Sequence, residues 1–299
     1  MAFRLSAHNW MRPEPLEVTC KRLHECGFWG IEIMGEPDLY KPFKNTREIL
    51  KAHKIECWGA VTIMIKCRDL INADYYLRYG SIQYVKDCLT MIHELGGSVL
   101  TLVPSEVGKI NCMASPEVEW AWAVECLKPI ADHARKEGVK IALEPLNRFE
   151  TNFMNRHDQA LALAAAVGDD VGICLDAFHI NIEEKDPLQA IRNAGKKLFD
   201  FHIADNNRRA PGDGKWDWAA LLQTLKDIGY EGCLTTEFVI PNDRTPCSPR
   251  FAKKSSDDTK GTAAEEKFIV DHGGYMMSNE EYSVHFQRTH DHIRAVEPK

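Results

Sequence analysis

Four short stretches in the second half of the chain carry ionisable residues at matching places. The first, Lys140 to Thr151, reads KIALEPLNRFET: an apolar run, Ile141-Ala142-Leu143, is followed at once by Glu144, then Asn147, Arg148 and Glu150. A carboxylate directly after a buried strand is costly unless something pairs with it. The pattern recurs in VGICLDAFHI (Val171 to Ile180) with Asp176 and His179, and in LFDFHIADNNR (Leu198 to Arg208) with His202, Asp205 and Arg208. It recurs once more in GCLTTEFVI (Gly232 to Ile240), which carries Glu237. Three carboxylates pointing at one another raise each other's pKa strongly unless a cation lies between them. With one imidazole and room for water, they suit a hard-to-borderline divalent ion, Mn²⁺, Mg²⁺ or Co²⁺, rather than thiolate-bound zinc. Each residue alone has a plainer role: His202 as a core histidine, Asp176 as a cap, Glu237 as a partner of Arg208 or Arg244. The coincidence at four successive strand ends is what points to a site.

Such side chains need a frame that gathers strand ends. The alternation of apolar runs and helical periodicity gives eight strands: Arg4 to Asn9, Gly30 to Met34, Ile55 to Ile63, Ser98 to Val103, and those beginning at Lys140, Val171, Leu198 and Gly232. Helices are expected from Pro15 to about Cys26, from about Asn45, over Ala73 to Leu95, from Ser115-Pro116 to Glu137, and from about Arg156 to Val167. Others follow over Asp186-Pro187 to Gly195, Trp216 to Ile228, and Asn279 to Ala295. Gly27, Gly96 and Gly138 stand where helices should stop. Eight strand–helix units imply parallel strands with right-handed crossovers, and so a (β/α)₈ barrel whose strand ends converge on one face. The expected organisation is one domain over residues 1–299, with a long polar loop at 241–278 after strand eight and a C-terminal helix. Long loops in compact domains are usually functional or disordered.

Composition sets the outer bounds. The 299 residues are 44% hydrophobic with a net charge of −7, enough for a large core and a poor match to a nucleic-acid partner. The Arg250 to Lys254 run is followed by Asp257 and Asp258 and reads as solvated. MAFRLSAHNW lacks a signal-peptide core, and no apolar stretch approaches the roughly 18 residues of a membrane span, so a soluble cytoplasmic protein is expected. Ten cysteines without a CxxC pair read as free thiols, several inside strands. His8, His93, His133 and the tail set His285, His290 and His292 are read as packing or surface residues.

LEPLNRFE (143–150), LDAFHINIEE (175–184), HIADNNR with PGDG (202–208, 211–214) and Glu237 together resemble the ketohexose 3-epimerases, of the D-tagatose and D-psicose type, in the xylose-isomerase-like barrel superfamily. The resemblance implies that Glu144, Asp176, His202 and Glu237 bind the metal, usually manganese. It implies that Glu144 and Glu237 double as acid and base, and that Glu150, His179 and Arg208 hold substrate oxygens. Two departures stand out: His202-Ile-Ala-Asp replaces the usual His-x-Gly-Glu, and Phe238-Val-Ile-Pro with the long loop replaces Pro-Phe after Glu237.

FETNF, DQALALA, CLDAFHINIEE, ADNNR and EFV-P-DRTP look closer to the larger subunit of bacterial C-glycoside deglycosidases, which pair with a small β-sandwich partner subunit. The leading expectation is therefore a metal-dependent lyase that removes a proton from a 3-keto C-glycoside and eliminates the aglycone. The alternative is a keto-sugar 3-epimerase or isomerase that shares the enolate step. A non-catalytic sugar-binding barrel is less favoured, because it needs no acid/base pair, and a multi-zinc endonuclease would need more histidines and a basic face. An oligomer and a sugar or glycoside substrate complete the expectation. Arg244 and residues 243–249 are expected to choose between a free ketose and a glycoside.

Overall fold

The computed structural model describes residues 2–242, 267 and 269–298; in it, eight parallel strands form one sheet. They are β1 (Arg4–Ala7), β2 (Gly30–Gly35), β3 (Glu56–Thr62), β4 (Val99–Leu102), β5 (Lys140–Leu143), β6 (Val171–Asp176), β7 (Leu198–Ile203) and β8 (Cys233–Thr236). The order is β1-β8-β7-β6-β5-β4-β3-β2, which leaves β1 and β2 to meet across a seam. No ladder joins them among the described residues. The Trp29 amide donates to Leu5 O at 2.9 Å, and an isolated parallel bridge pairs His8 with Glu32. The sheet therefore curls into the expected (β/α)₈ barrel, and its weakest join lies beside two ionisable residues.

The helices between the strands are α1 (Leu16–Glu25), α2 (Phe43–Ala52), α3 (Tyr75–Leu95), α4 (Pro116–Glu137), α5 (His157–Val167), α6 (Ala177–Glu183), α7 (Pro187–Ala194) and α8 (Trp218–Asp227). A final helix, α9, spans Asn279–Val296. Gly96 and Gly138 end α3 and α4 in left-handed conformations (φ 78° and 69°), which a side chain would disfavour. Ser115 stands at the N-cap of α4 as expected, but its side chain makes no capping bond there. The eighth helix starts at Trp218, two residues later than the sequence suggests, because Asp217 caps it by accepting from the Ala220 amide.

One element is absent from the sequence reading. α6 begins directly at the end of β6, so Asp176 is both the last strand residue and the helix N-cap. Its Oδ1 accepts from the Phe178 amide at 2.9 Å, and Oδ2 has no hydrogen-bond partner among the described residues. The cap and the site residue are thus one side chain with its oxygens divided. Apart from the main core, Trp58, Val99, Ala142, Cys174 and Cys233 form a second, small cluster of buried residues. The two ends of the 241–278 loop are pinned together, Asn242 N donating to Gly273 O at 2.8 Å. Arg244, residues 243–249 and the Arg250 to Lys254 run lie outside the described residues.

Candidate functional site

The strand ends of β5 to β8 bring Glu144, Asp176, His202 and Glu237 into one enclosed neighbourhood, each no more than 6% exposed. His202 is its centre. Its Nδ1 lies 3.1 Å from Glu144 Oε1 and 3.1 Å from Glu237 Oε2. Donor atoms of Glu144, Asp176 and His179 fall within 4.8 Å of one another, as do those of Glu144, Cys174 and His202. Glu144 is therefore the member common to both halves of the cluster.

The charges are out of balance without a further positive group. Burial pushes the Glu144 carboxyl up, and His202 only partly offsets it. Burial and the Glu237 charge push Asp176 well above the carboxylate range. Glu237 goes the other way: burial opposes its charge, but His202, His8 and Arg208 hold it well below. Glu144 Oε1 and Asp176 Oδ2 are buried with no hydrogen-bond partner among the described residues. Buried carboxylate oxygens left that way are costly, and a divalent cation answers the cost with the ligand chemistry these oxygens and the imidazole offer. The residues present fit a metal ion. Cys174 nearby is kept a thiol by burial, which pushes its pKa well up, and it adds no thiolate ligand.

Glu150, His179 and Arg208 line the same cleft, which encloses about 480 Å³ including its open mouth. Arg208 donates to Glu150 Oε1 at 2.8 Å, reaches to 3.8 Å from Glu237 Oε1, and lies 4.7 Å over the Phe178 ring. The Asn147 backbone amide donates to His179 Nδ1 at 3.3 Å, so this nitrogen is an acceptor and the ring proton sits on Nε2. Burial lowers the His179 pKa to about 4, so the ring is a neutral donor facing Asp176 Oδ2 at 3.6 Å. Val61, Ile63, Met64, Val103 and Val107 line the same cleft, so charged and apolar side chains share its surface.

The HIADNNR departure does not face the metal position. Asp205 is fully buried and accepts from the amides of Asn206, Gly212 and Trp216 and from Trp218 Nε1, at 2.9 to 3.1 Å. It is the peg around which the β7–α8 loop is wound, and that loop carries Arg208 in a left-handed conformation (φ 59°). The PGDG motif has a steric reason at its last position. A Cβ on Gly214 would fall 2.0 Å from Asp205 Oδ1. The indole N–H groups of Trp216 and Trp218 donate to Ala177 O and Asp205 Oδ2 respectively.

Three site neighbours escaped the sequence reading. His8, assigned to packing, is fully buried edge-on against His202, with ring centroids 4.6 Å apart at 89°. Glu32 lies 3.4 Å and Asp200 3.7 Å from His202 Nε2. The available signal was alternation: Glu32 sits between Ile31 and Ile33, and Asp200 is two residues before His202, so each shares a strand face pointing inward. His285, another residue read as surface or packing, is largely buried against Phe238.

Comparison with known proteins bears on what this arrangement serves. Residues 20–256 match the family described as xylose isomerase-like TIM barrel. The chain is 37% identical over 147 residues to D-psicose 3-epimerase of Agrobacterium fabrum, a stretch covering 49% of this chain and 50% of that enzyme. It is 30% identical over 237 residues to 3-dehydro-D-guloside 4-epimerase of Escherichia coli, covering 75% of this chain and 87% of that one. The solved structure of L-ribulose 3-epimerase superposes with a TM-score of 0.74 at 27% identity, covering 80% of this chain and 82% of the other. No helix among the described residues is long and apolar enough to cross a membrane.

Proposed function

The chain belongs to the xylose isomerase-like TIM-barrel family, and from that premise we propose that it is a divalent-metal-dependent enzyme that epimerises a keto-sugar. The reading is carried by Glu144 and Glu237, each with an oxygen 3.1 Å from His202 Nδ1, beside the partnerless Oδ2 of Asp176. Glu144, Asp176, His202 and Glu237 hold the ion, with Mn²⁺ the first choice and Co²⁺ or Mg²⁺ compatible with the same donors. When bound, the ion polarises the sugar carbonyl and stabilises negative charge beside it. Glu144 and Glu237 approach from different strands and supply the two proton-transfer groups: one removes the proton next to the carbonyl, the other returns it on the opposite face. Arg208 and Glu150 take hydroxyl groups, and His179 Nε2–H donates to a sugar oxygen. The apolar side chains of Ile63, Met64 and Val103 take the less polar C–H faces.

The relatives favour epimerisation over the elimination expected from the sequence motifs, since their names describe 3- and 4-epimerases. The two outcomes share proton removal and diverge only afterwards. One relative is named for a 3-dehydro-guloside, which brings keto-glycosides into the substrate class alongside free ketoses. An accompanying β-sandwich subunit belongs to the lyase reading alone, so activity of the isolated chain separates the two. The test is incubation of the isolated chain and Mn²⁺ in D₂O with D-psicose, L-ribulose or a 3-keto glucoside. One epimer carrying solvent deuterium at the inverted carbon is expected. Aglycone release in place of epimer formation restores the lyase, and absence of exchange on every substrate removes the keto-sugar reading.

A further inference from the structure

Several buried polar atoms without a hydrogen-bond partner among the described residues gather in one place below the site. They are both oxygens of Glu32, both ring nitrogens of His8 and Nε2 of His202, all in fully enclosed side chains. Donor atoms of these three residues lie within 4.8 Å of one another. His8 and Glu32 also form the bridge at the β1–β2 seam.

The two nitrogens of His202 face different neighbours. Nδ1 lies 3.1 Å from Glu144 and from Glu237, so this is the nitrogen that addresses the cation position. A nitrogen that binds a cation must present its lone pair, and a neutral imidazole then carries its proton on the other nitrogen, Nε2. That proton needs an acceptor inside the barrel. Glu32 Oε2 stands at 3.4 Å and Asp200 Oδ2 at 3.7 Å. Asp200 is already engaged by Trp58 Nε1, Thr101 Oγ1 and the Phe201 amide, at 2.9 to 3.0 Å. Neither oxygen of Glu32 has a hydrogen-bond partner among the described residues, and a buried carboxylate in that condition is expensive. The ring and the carboxylate each supply what the other lacks.

We propose that Glu32 is a positioning residue, taking the proton-bearing Nε2 of His202 and so aiming Nδ1 at the cation held by Glu144, Asp176 and Glu237. This rests on the metal-dependent reading above. His8, packed edge-on, fixes the plane of the same ring. Partners of this kind set the tautomer and orientation of a metal-binding imidazole, and their loss typically weakens the metal by ~10–100-fold. The competing use of the same atoms is a second cation site built from His8, Glu32 and His202, since two imidazoles and a carboxylate also suit a divalent ion. Stoichiometry separates the two.

The test is Mn²⁺ titration calorimetry on the wild type and Glu32→Gln, with thermal melts in EDTA to establish that both are folded. One ion per chain is expected in each, with affinity lower by ~10–100-fold in the variant. Equal affinities overturn the positioning role. Two ions in the wild type and one in Glu32→Gln overturn it in favour of a second site. A wild type that binds no divalent ion overturns the metal-dependent function as well as this inference. Should Glu32→Gln not fold, ¹⁵N NMR of the Mg²⁺-loaded wild type reads the His202 tautomer directly: a proton on Nε2 is expected, and one on Nδ1 overturns the proposal.

Discussion

Glu144 and Glu237 occupy one pocket but not one electrostatic environment. Burial raises the Glu144 pKa, while Glu237, despite burial, is held low by His202, His8 and Arg208. Two carboxyl groups held apart in this way are suited to opposite roles in proton transfer. Glu144→Gln and Glu237→Gln are each expected to lower kcat by at least ~10²–10⁴-fold with an unchanged circular dichroism spectrum. Near-normal turnover in either variant would remove that residue from the acid/base pair. His157→Ala should be far milder: its Nδ1 lies 2.8 Å from Glu184 at the first turn of α5, a packing role at a helix start. Chelation should abolish activity and Mn²⁺ or Co²⁺ restore it. Full turnover in protein shown by elemental analysis to be metal-free would falsify the metal assignment. The four strand-end residues were legible because a charge directly after an apolar run breaks the pattern. Glu32, His8 and Asp200 were not, because an inward-facing polar residue within a strand reads as ordinary alternation until the strand is known to face a barrel interior.

At the scale of elements, the β7–α8 loop shows how a motif can serve a site without touching its chemistry. Asp205 gathers three amides and one indole N–H, and the resulting turn sets Arg208 over Phe178 and against Glu150. The sequence reading marked Asp205 as a departure three residues after His202. It could not show that the carboxylate turns back into its own loop, because that depends on contacts up to Trp218. Burial works against the Asp205 charge, but these donors hold its pKa below the usual carboxylate value. A carboxylate with a depressed folded pKa stabilises the fold above its unfolded value of about 3.9 and loses that contribution as pH falls through the lower folded value. Asp205→Asn, which turns an amide NH₂ toward other donors, should cost about 1.5–3 kcal/mol at pH 7. The gap to wild type should narrow below about pH 4, read by denaturant unfolding from pH 7 to 3. A gap independent of pH means the charge is not what the loop uses. In kinetics the same variant should raise KM more than it lowers kcat, since the proposed function gives Arg208 a part in holding substrate and none in moving the proton.

Over the whole molecule, the last elements must find the first: β8 does so through its ladder with β1, and the last helix through an ionic cluster outside the sheet. Strand count and helix alternation were legible from local periodicity. The ionic join was not, since its partners stand more than 250 residues apart in sequence, as in the 2.9 Å bond from Arg22 Nε to Ser283 Oγ, with a separation of 261. The side chain of Glu14 is fully enclosed and pairs with both Arg12 and Arg22, themselves only 1% and 4% exposed. Thr19 Oγ1 also donates to it, at 2.8 Å. From the other direction, Arg12 Nε donates to Met277 O at 3.0 Å, and Arg22 sits 4.8 Å over the Tyr282 ring of α9. Phe28 and Phe286 pack edge-to-face beside this cluster, with centroids 5.2 Å apart. To these apolar contacts the guanidiniums of Arg12 and Arg22, which share Glu14 and also donate to Met277 O and Ser283 Oγ, add directed bonds. Glu14→Ala leaves two buried cations with their shared anion gone, a change that typically costs about 3–5 kcal/mol. In a protein of this size each kcal/mol moves the melting temperature by roughly 2–4 °C, so a fall of about 6–20 °C is expected. Because the cluster stands outside the barrel, Mn²⁺ affinity measured well below the melting temperature should change by less than about threefold, within the 0.5 kcal/mol typical of independent sites. A variant that melts with the wild type would show that the aromatic packing alone fixes α9, and one that loses Mn²⁺ binding while still folded would tie the outer join to the site through the β1–β2 seam.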